Sequence, residues 1–505
     1  MKSNYLLIVL IASVLNMSHA AVFTVNSLAN TNTGTGNSGT LLYCINQANL
    51  TTGPHTIDFS VAGTISINTS SLPALTKEIT LDGTTAPGYA GVPVVVIDGT
   101  GLTGGSGISV TAANVKIYGL EITGFPYSGI QVNGNTSDFF EIGAMGKGNV
   151  VRNNGYYGIS ISAADNGKIV DNKIGTDATG MTCSMNQYDG IDLGSAANNN
   201  SILNNQISCN GYNGIQIGGS NFNVIQGNLI GPLMGSCSGN EYRGIDIESG
   251  STGNKVGGAL PSEWNKISGN LYWGIEIKDA GSINNLISGN SFSCNPYSAI
   301  SVNNGGNNNI SAPLIVTANA SSISGTAQAN AIVEIYKSQE TKPSMCSNSS
   351  PLNQGTDFLG SATANSTGNW TLTGSFDGYV TAIQRDSVDN TSGFSNSIYT
   401  GVPGNLINSC SGESIATALA WWETKSWISV YPNPITDYTT IQTHQSLQNA
   451  SCELLNYHGQ KVSETINFEG EKINIHCGNL PTGIYLIRIK EGEKIVATKK
   501  IIVAD

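Results

Sequence analysis

The sequence predicts an all-β chain whose larger part is a right-handed parallel β-helix, followed by smaller β-sandwich domains. Three observations predict it. One motif recurs seven times: Tyr127-x-Gly129-Ile130, Tyr156-x-Gly158-Ile159, Tyr188-x-Gly190-Ile191, Tyr212-x-Gly214-Ile215, Tyr242-x-Gly244-Ile245, Tyr272-x-Gly274-Ile275 and Tyr297-x-Ala299-Ile300. An asparagine precedes the tyrosine by two in the last six copies: Asn154, Asn186, Asn210, Asn240, Asn270 and Asn295. Each copy then alternates apolar and polar, as in Ile191-Asp192-Leu193 and Ile245-Asp246-Ile247, the period of a strand. The tyrosines stand 24 to 32 residues apart, too close for propeller blades, and the 3.6-residue apolar period of helical repeats is absent. With one coil per repeat, equivalent residues lie ~4.8 Å apart. The six asparagines are therefore expected to form one ladder, each amide bonded to the next coil.

The elements follow in order. Lys2, an apolar run from Leu6 to Leu15 and the small-x-small site Ser18-His19-Ala20 read as a signal peptide, residues 1–20. The run is too short for a permanent membrane span and no later stretch is long enough, so an exported protein with no transmembrane segment is expected. Residues 21–99 read as an N-terminal cap and first coils. Leu41 to Asn49 forms a short amphipathic helix there, and Val94 to Gly99 a strand entered through Pro93. The coils proper occupy 100–312, with a second strand pattern between motifs, as in Ile202 to Ile207 and Val224 to Ile230. From 313 to 402 alternating segments such as Ile323 to Ala327, Val333 to Tyr336 and Gly368 to Leu372 suit a sandwich. Residues 403–427 are a linker, where Trp421, Trp422 and Trp427 read as a packed helix rather than a sugar platform.

Composition narrows the partners. Charged residues make up only 11 % of the chain and the net charge is −12, with no cluster of Lys and Arg to bind phosphates, which argues against nucleic acid as a partner. Nine cysteines in an exported chain suggest partial disulfide stapling. One bridge is expected within the trio Cys183, Cys209 and Cys237, and Cys452–Cys477 is a second candidate. No Cys/His spacing suits zinc.

Two resemblances add to this reading. Gly39-Thr40-Leu41-Leu42, Thr56-Ile57-Asp58-Phe59, Leu81-Asp82-Gly83-Thr84, Gly119-Leu120-Glu121-Ile122 and Ile174 to Gly180 resemble secreted, adhesin-like right-handed β-helix proteins over roughly residues 21–312. The 313–402 segment is similar to bacterial immunoglobulin-like modules, which implies a spacer or weak binder. At the chain end, Tyr431-Pro432-Asn433-Pro434, Gly483-Ile484-Tyr485 and Lys499-Lys500 resemble the type A C-terminal sorting domain of the type IX secretion system, residues 428–505. That resemblance implies recognition by the secretion machinery and a place at the outer cell surface or beyond.

Chemistry, if any, is expected on the outward positions two after each motif glycine: Gln131, Ser160, Asp192, Gln216, Asp246, Glu276 and Ser301. From the coil spacing Asp246 and Glu276 should lie ~5 Å apart and Asp192 and Asp246 roughly 10 Å, which brackets the glycosidase ranges. Asp246, Glu248 and Glu276 are the candidates for calcium, the one cofactor considered. Outward acids are also ordinary on a solvated sheet face. Tyr188, Tyr212, Tyr242, Tyr272 and Trp273 are glycan-binding candidates if their rings face outward, although packing into a corner is the expectation. The catalytic signatures of polygalacturonases and pectate lyases are missing, and no histidine lies in the repeats. The sequence thus points to an adhesin or polysaccharide-binding surface protein. A lyase or glycoside hydrolase using Asp192, Asp246 and Glu276 is the alternative, and a structural stalk the third reading.

Overall fold

The computed structural model describes residues 20–232, 239–338, 353–401 and most of 428–503. The expected signal peptide through residue 19, the three linker tryptophans, Pro432, Asn433, Pro434, Cys237 and Cys477 lie outside the described residues.

Three sheets, of twelve, nine and eight strands, parallel except for the edge strand Gly34–Thr35, wind around one core as a β-helix. The motif strands build the third sheet: Ile108–Val110, Ile130–Asn133, Ile159–Ser162, Ile191–Gly194, Ile215–Gly218, Ile245–Glu248, Trp273–Lys278 and Ser298–Asn303. They pair in phase, so that Ile130, Ile159, Ile191, Ile215, Ile245, Ile275 and Ile300 stack in one buried column. Burying each such side chain contributes about 1.5–3 kcal/mol, which is what sets the register: a one-residue slip would turn every isoleucine outward.

Each coil has one strand more than the sequence pattern suggested. Ile202 to Ile207 is not a single strand but two, Ser201–Leu203 in the first sheet and Gln206–Ile207 in the second, with a corner at Asn204-Asn205. The turn is made by a left-handed residue, Asn204 at φ 56°, matched by Asp171 at 61° and Gly227 at 67° in neighbouring coils. Asn, Asp and Gly tolerate that conformation best.

Buried asparagines pave the corners. The predicted ladder is present: Nδ2 of Asn154, Asn186, Asn210, Asn240 and Asn270 each donates to Oδ1 of the next member, at 2.9, 3.0, 2.9, 2.9 and 3.2 Å. A second ladder, Asn149, Asn172, Asn205, Asn228, Asn265 and Asn290, lines the corner just described. A third, through Asn223, Asn254 and Asn285, closes the remaining corner. Every one of these amides is buried, and the bonding removes a desolvation cost of about 1–3 kcal/mol per group.

At the N-terminal end, helix Leu41–Leu50 buries Leu41, Cys44, Ile45 and Ala48, and its N-cap Thr40 accepts from Tyr43 N. This closes the first coil. Cys183 and Cys209 form the expected bridge, with Cα atoms 5.5 Å apart, and Cys294 is also disulfide-bonded.

The segment after the last coil is an antiparallel sandwich of a three-stranded and a four-stranded sheet over Ile323, Val333, Ile335, Trp370 and Val380. It does not stand off as a spacer. Tyr336, Ile383 and Phe394 join the core of the β-helix, and the Phe394 ring meets Phe292 of the last coil edge-on at 5.7 Å.

The C-terminal unit is an antiparallel domain of its own. Its long strand Tyr438–Asn456 pairs with Ile466–His476 through two register breaks and, from Ala450 on, also with Gly483–Glu491, which in turn pairs with Lys494–Val503. Ile441, Leu454, Ile487, Ile489 and Ile501 form its core. Tyr431 ends strand Ile428–Tyr431 and is exposed, whereas Tyr485 is buried. Gly483, Tyr485, Lys499 and Lys500 all lie on the last two strands.

Candidate functional site

The outer face of the third sheet carries four parallel columns, one residue per coil. A tyrosine column runs along the corner. Beside it are a leading column (Tyr157, Asp189, Asn213, Arg243, Trp273), a middle column (Ser160, Asp192, Gln216, Asp246, Glu276) and a trailing column (Ser162, Gly194, Gly218, Glu248, Lys278). Backbone pairing fixes the middle and trailing columns directly, Ser160↔Asp192↔Gln216↔Asp246↔Glu276 and Gly194↔Gly218↔Glu248 among them.

The tyrosines face outward rather than packing into the corner. Tyr156, Tyr188, Tyr212 and Tyr297 are exposed, and Tyr242 and Tyr272 are half-buried. The corner backbone is itself a ladder, Tyr188 N donating to Tyr156 O and Tyr242 N to Tyr212 O, so it leaves the rings no room inside. The rings instead pack on each other, Tyr242 on Tyr272 edge-on at 4.3 Å and Tyr156 on Tyr188 tilted at 4.4 Å, while two pairs stack. Tyr272 and Tyr297 lie 4.7 Å apart with planes 5° off parallel, and Tyr212 and Tyr242 lie 4.6 Å apart at 22°. Stacking covers ring faces and turns edges and hydroxyls to solvent.

The acids are not a solvated face. Asp246 is 2 % exposed and Glu276 4 %, because the chain's own cations close over them. Arg243 Nη1 lies 3.2 Å from Asp246 Oδ2, and its Nε makes a 2.5 Å ion contact with Glu276 Oε2 that lacks hydrogen-bond alignment. Lys278 Nζ lies 3.2 Å from Asp246 Oδ2 and 2.5 Å from Glu248 Oε2. Asn303 donates to Glu276 at 2.9 Å, and Gln216 to Glu248 at 2.9 Å. The Arg243 guanidinium sits 4.0 Å from the Tyr242 ring centre and 5.2 Å from that of Trp273, a cation–π seat.

Repulsion between stacked carboxylates, the reason to consider calcium, is therefore met by arginine and lysine. Asp246, Glu248 and Glu276 are engaged by these cations, and among the described residues no cluster of three or more His, Cys, Asp or Glu is placed to hold a metal ion.

Burial still governs the protons. It pushes the Asp246 carboxyl up to about 6 against the pull of Arg243 and Lys278, and Asp246 Oδ1 is buried without a hydrogen-bond partner. Asp192 is raised to about 6 by burial, offset only by a 3.4 Å bond from Ser160 Oγ. Asp189, which the sequence reading passed over, is raised to about 7 by burial, although its Oδ1 accepts from Asn213 N at 2.8 Å. Tyr157, also passed over, is raised by burial and by the nearby Asp192. Both sit at the x of the repeat motif, where a fixed spacing to the glycine was the available signal.

Fold and tail together define an exported parallel β-helix protein. Residues 429–504 match the family described as secretion system C-terminal sorting domain, so the chain leaves the cell's interior for the cell surface or the medium. Among the described residues no helix is long and apolar enough to cross a membrane. No curated protein matches the chain significantly.

Solved structures similar to it include an alginate lyase from a Paenibacillus species, at 19 % identity over 53 % of this chain and 76 % of that one, with a TM-score of 0.30. Another is the A-module of a mannuronan C-5 epimerase from Azotobacter vinelandii, at 16 % identity, 52 % and 90 % coverage and a TM-score of 0.30. A pectate lyase is similar at 14 % identity, 56 % and 82 % coverage and a TM-score of 0.27. These scores carry no argument about activity. The β-helix stands on its own strand pairing.

Proposed function

We propose that this exported protein binds an extracellular polysaccharide along the tyrosine column of its third sheet and so attaches to glycan-bearing surfaces. The outward column of Tyr156, Tyr188, Tyr212 and Tyr297, exposed, with Tyr242 and Tyr272, half-buried, carries the reading. A sugar chain repeats on the length scale of the coils, and phenol hydroxyls and ring edges offered once per coil match that repeat. Trp273 adds an aromatic surface beside Tyr272 and Tyr297, 6.0 and 5.6 Å between ring centres. The contact is made through hydroxyls and edges, since the stacked faces are covered.

The test is a glycan array probed with the full secreted chain and with a Tyr212→Ala, Tyr242→Ala, Tyr272→Ala variant. Binding by the first and its loss in the second is the expected result. No binding by either would leave the structural stalk.

A lyase or hydrolase remains the second reading, and one observation favours it: Asp192 is partly exposed, without a cation, and carries a carboxyl poised near pH 6. Asp246 and Glu276 fit that role less well because they are buried in ion contacts. Release of reducing or unsaturated sugar by the native chain, abolished in Asp192→Asn, would establish it.

A further inference from the structure

The repeat lets two parts of one molecule be compared position by position. Around Asp246, the leading column of the same coil supplies Arg243 and the trailing column of the next coil supplies Lys278, both 3.2 Å from Oδ2. Two coils earlier, around Asp192, the equivalent positions are Asp189 and Gly218. One cation is replaced by a second acid and the other by no side chain at all.

An aromatic ring stands beside the acid in both places, from the next coil at Asp246 and from the preceding coil at Asp192, where Asn213 takes the place of Trp273. Arg243 sits against Tyr242 and Trp273. Asp192 has Tyr157 beside it, and Tyr157 is packed at 4.3 Å on Tyr156 and 6.1 Å from Tyr188. The floor is open: a Cβ on Gly194 would meet only the Asp192 carboxylate, at 3.6 and 3.9 Å, and one on Gly218 only Gln216, at 3.8 Å. Among the described residues no lysine or arginine forms an ion pair with Asp189 or Asp192. Asp189 is 4 % exposed, and the nearby acids Asp192 and Asp246 add to the upward push on its carboxyl.

We propose that the notch formed by Asp189, Asp192, Tyr156, Tyr157, Tyr188 and the bare backbone of Gly194 and Gly218 binds an organic ammonium group, that of an amino sugar in the bound polysaccharide. The proposal rests on the polysaccharide reading and names the sugar class. Two carboxylates supply charge, the aromatic rings supply the quadrupole that a cation prefers, and the small open floor admits a compact ammonium. The chain demonstrates the same recognition two coils later with its own Arg243 and Lys278. Burial raises Asp189 to about 7 and Asp192 to about 6, so at pH 7 Asp192 is largely ionised while Asp189 still holds part of its proton, which the arriving cation releases.

The full secreted chain is titrated with a tetramer of glucosamine and a tetramer of N-acetylglucosamine at pH 7 and low salt. The free-amine tetramer is expected to bind at least tenfold more tightly, with proton release. The Asp189→Asn, Asp192→Asn variant, whose melting temperature verifies the fold, should bind both tetramers alike. Equal binding of the two tetramers by the native chain would overturn the ammonium notch and leave the polysaccharide reading standing. Binding of neither tetramer, together with binding of a lysine-rich peptide that the variant loses, would overturn the amino sugar and move the notch to a protein partner.

Discussion

Asn295 Nδ2 donates to Gln354 Oε1 at 3.0 Å, while Gln354 Nε2 returns a bond to Asn295 O at 3.0 Å. The last rung of a buried asparagine ladder is thus closed by a residue of the sandwich. The other corners end the same way. Asn307 Nδ2 donates to Thr391 O at 3.0 Å, and the Tyr336 hydroxyl accepts from Gly289 N at 2.8 Å. A β-helix otherwise ends in a row of unpaired backbone groups over open core, a template for aggregation.

The sandwich should therefore be needed for solubility. A chain ending at residue 312 is expected to aggregate, and one ending at residue 401 to remain monodisperse on size-exclusion chromatography. The single change Gln354→Ala removes the bonds that Asn295 N, Nδ2 and O make to that side chain, leaving Nδ2 only Ile267 O, at a cost of about 1–3 kcal/mol, measurable by urea unfolding.

Within the ladder the stakes are higher. Asn240 donates to Asn270 Oδ1 at 2.9 Å and Ile207 O at 3.1 Å, and accepts from Asn210 Nδ2 at 2.9 Å. Asn240→Ala strands partners on both sides, so a loss of roughly 2–4 kcal/mol is expected, more than for Gln354→Ala. Equal losses in urea would count against ladder cooperativity.

Arg243 holds two buried carboxylates. Arg243→Ala leaves Asp246 and Glu276 facing each other and should cost about 3–5 kcal/mol at pH 7. Acidification should recover part of this, because the Asp246 carboxyl already lies near 6 and rises further when Lys278 is its one remaining cation. Melting curves at pH 7.5 and 5 of variant and native chain check both statements.

The pH dependence of stability follows from Asp189 and Asp192. Their folded values, about 7 and about 6, stand above the ordinary 3.8. The folded chain therefore binds more protons than the unfolded one between about pH 4 and 7, and this contribution to stability falls as pH rises through that window. The full cost persists above it. Asp189→Asn with Asp192→Asn should stabilise the protein at pH 8 by on the order of 2 kcal/mol. The advantage should vanish near pH 4. A variant less stable than native at pH 8 would contradict this.

Sorting should depend on the tail alone. Without residues 428–505 the passenger should fold yet stay in the periplasm, because such a signal is read as an address. Cell-surface labelling at the native level in that deletion would refute the assignment made from residues 429–504.

The sequence by itself determined everything carried by periodicity. Six copies of Tyr-x-Gly-Ile and a seventh with alanine for glycine set the coil length, the inward isoleucine column, the Asn154 to Asn295 ladder and the outward line through Asp192, Asp246 and Glu276. A two-residue alternation can face only one way in a closed solenoid. The tail was legible for a different reason, as an ordered set of segments from Tyr431 to Lys500. Only the tertiary structure decided what neighbours across coils do to a side chain. The second ladder was hidden because Asn204-Asn205 and Gly227-Asn228 sit inside stretches that read as continuous strands, and a corner is invisible to a period of two. The tyrosine rings turned outward because the corner interior is filled by asparagine amides. Asp246 and Glu276 became buried because Arg243 reaches forward one coil and Lys278 back one, across about 30 residues of chain in each case. Coulomb energy depends on distance in space, and in a solenoid that distance is set by the next coil rather than by the next residue.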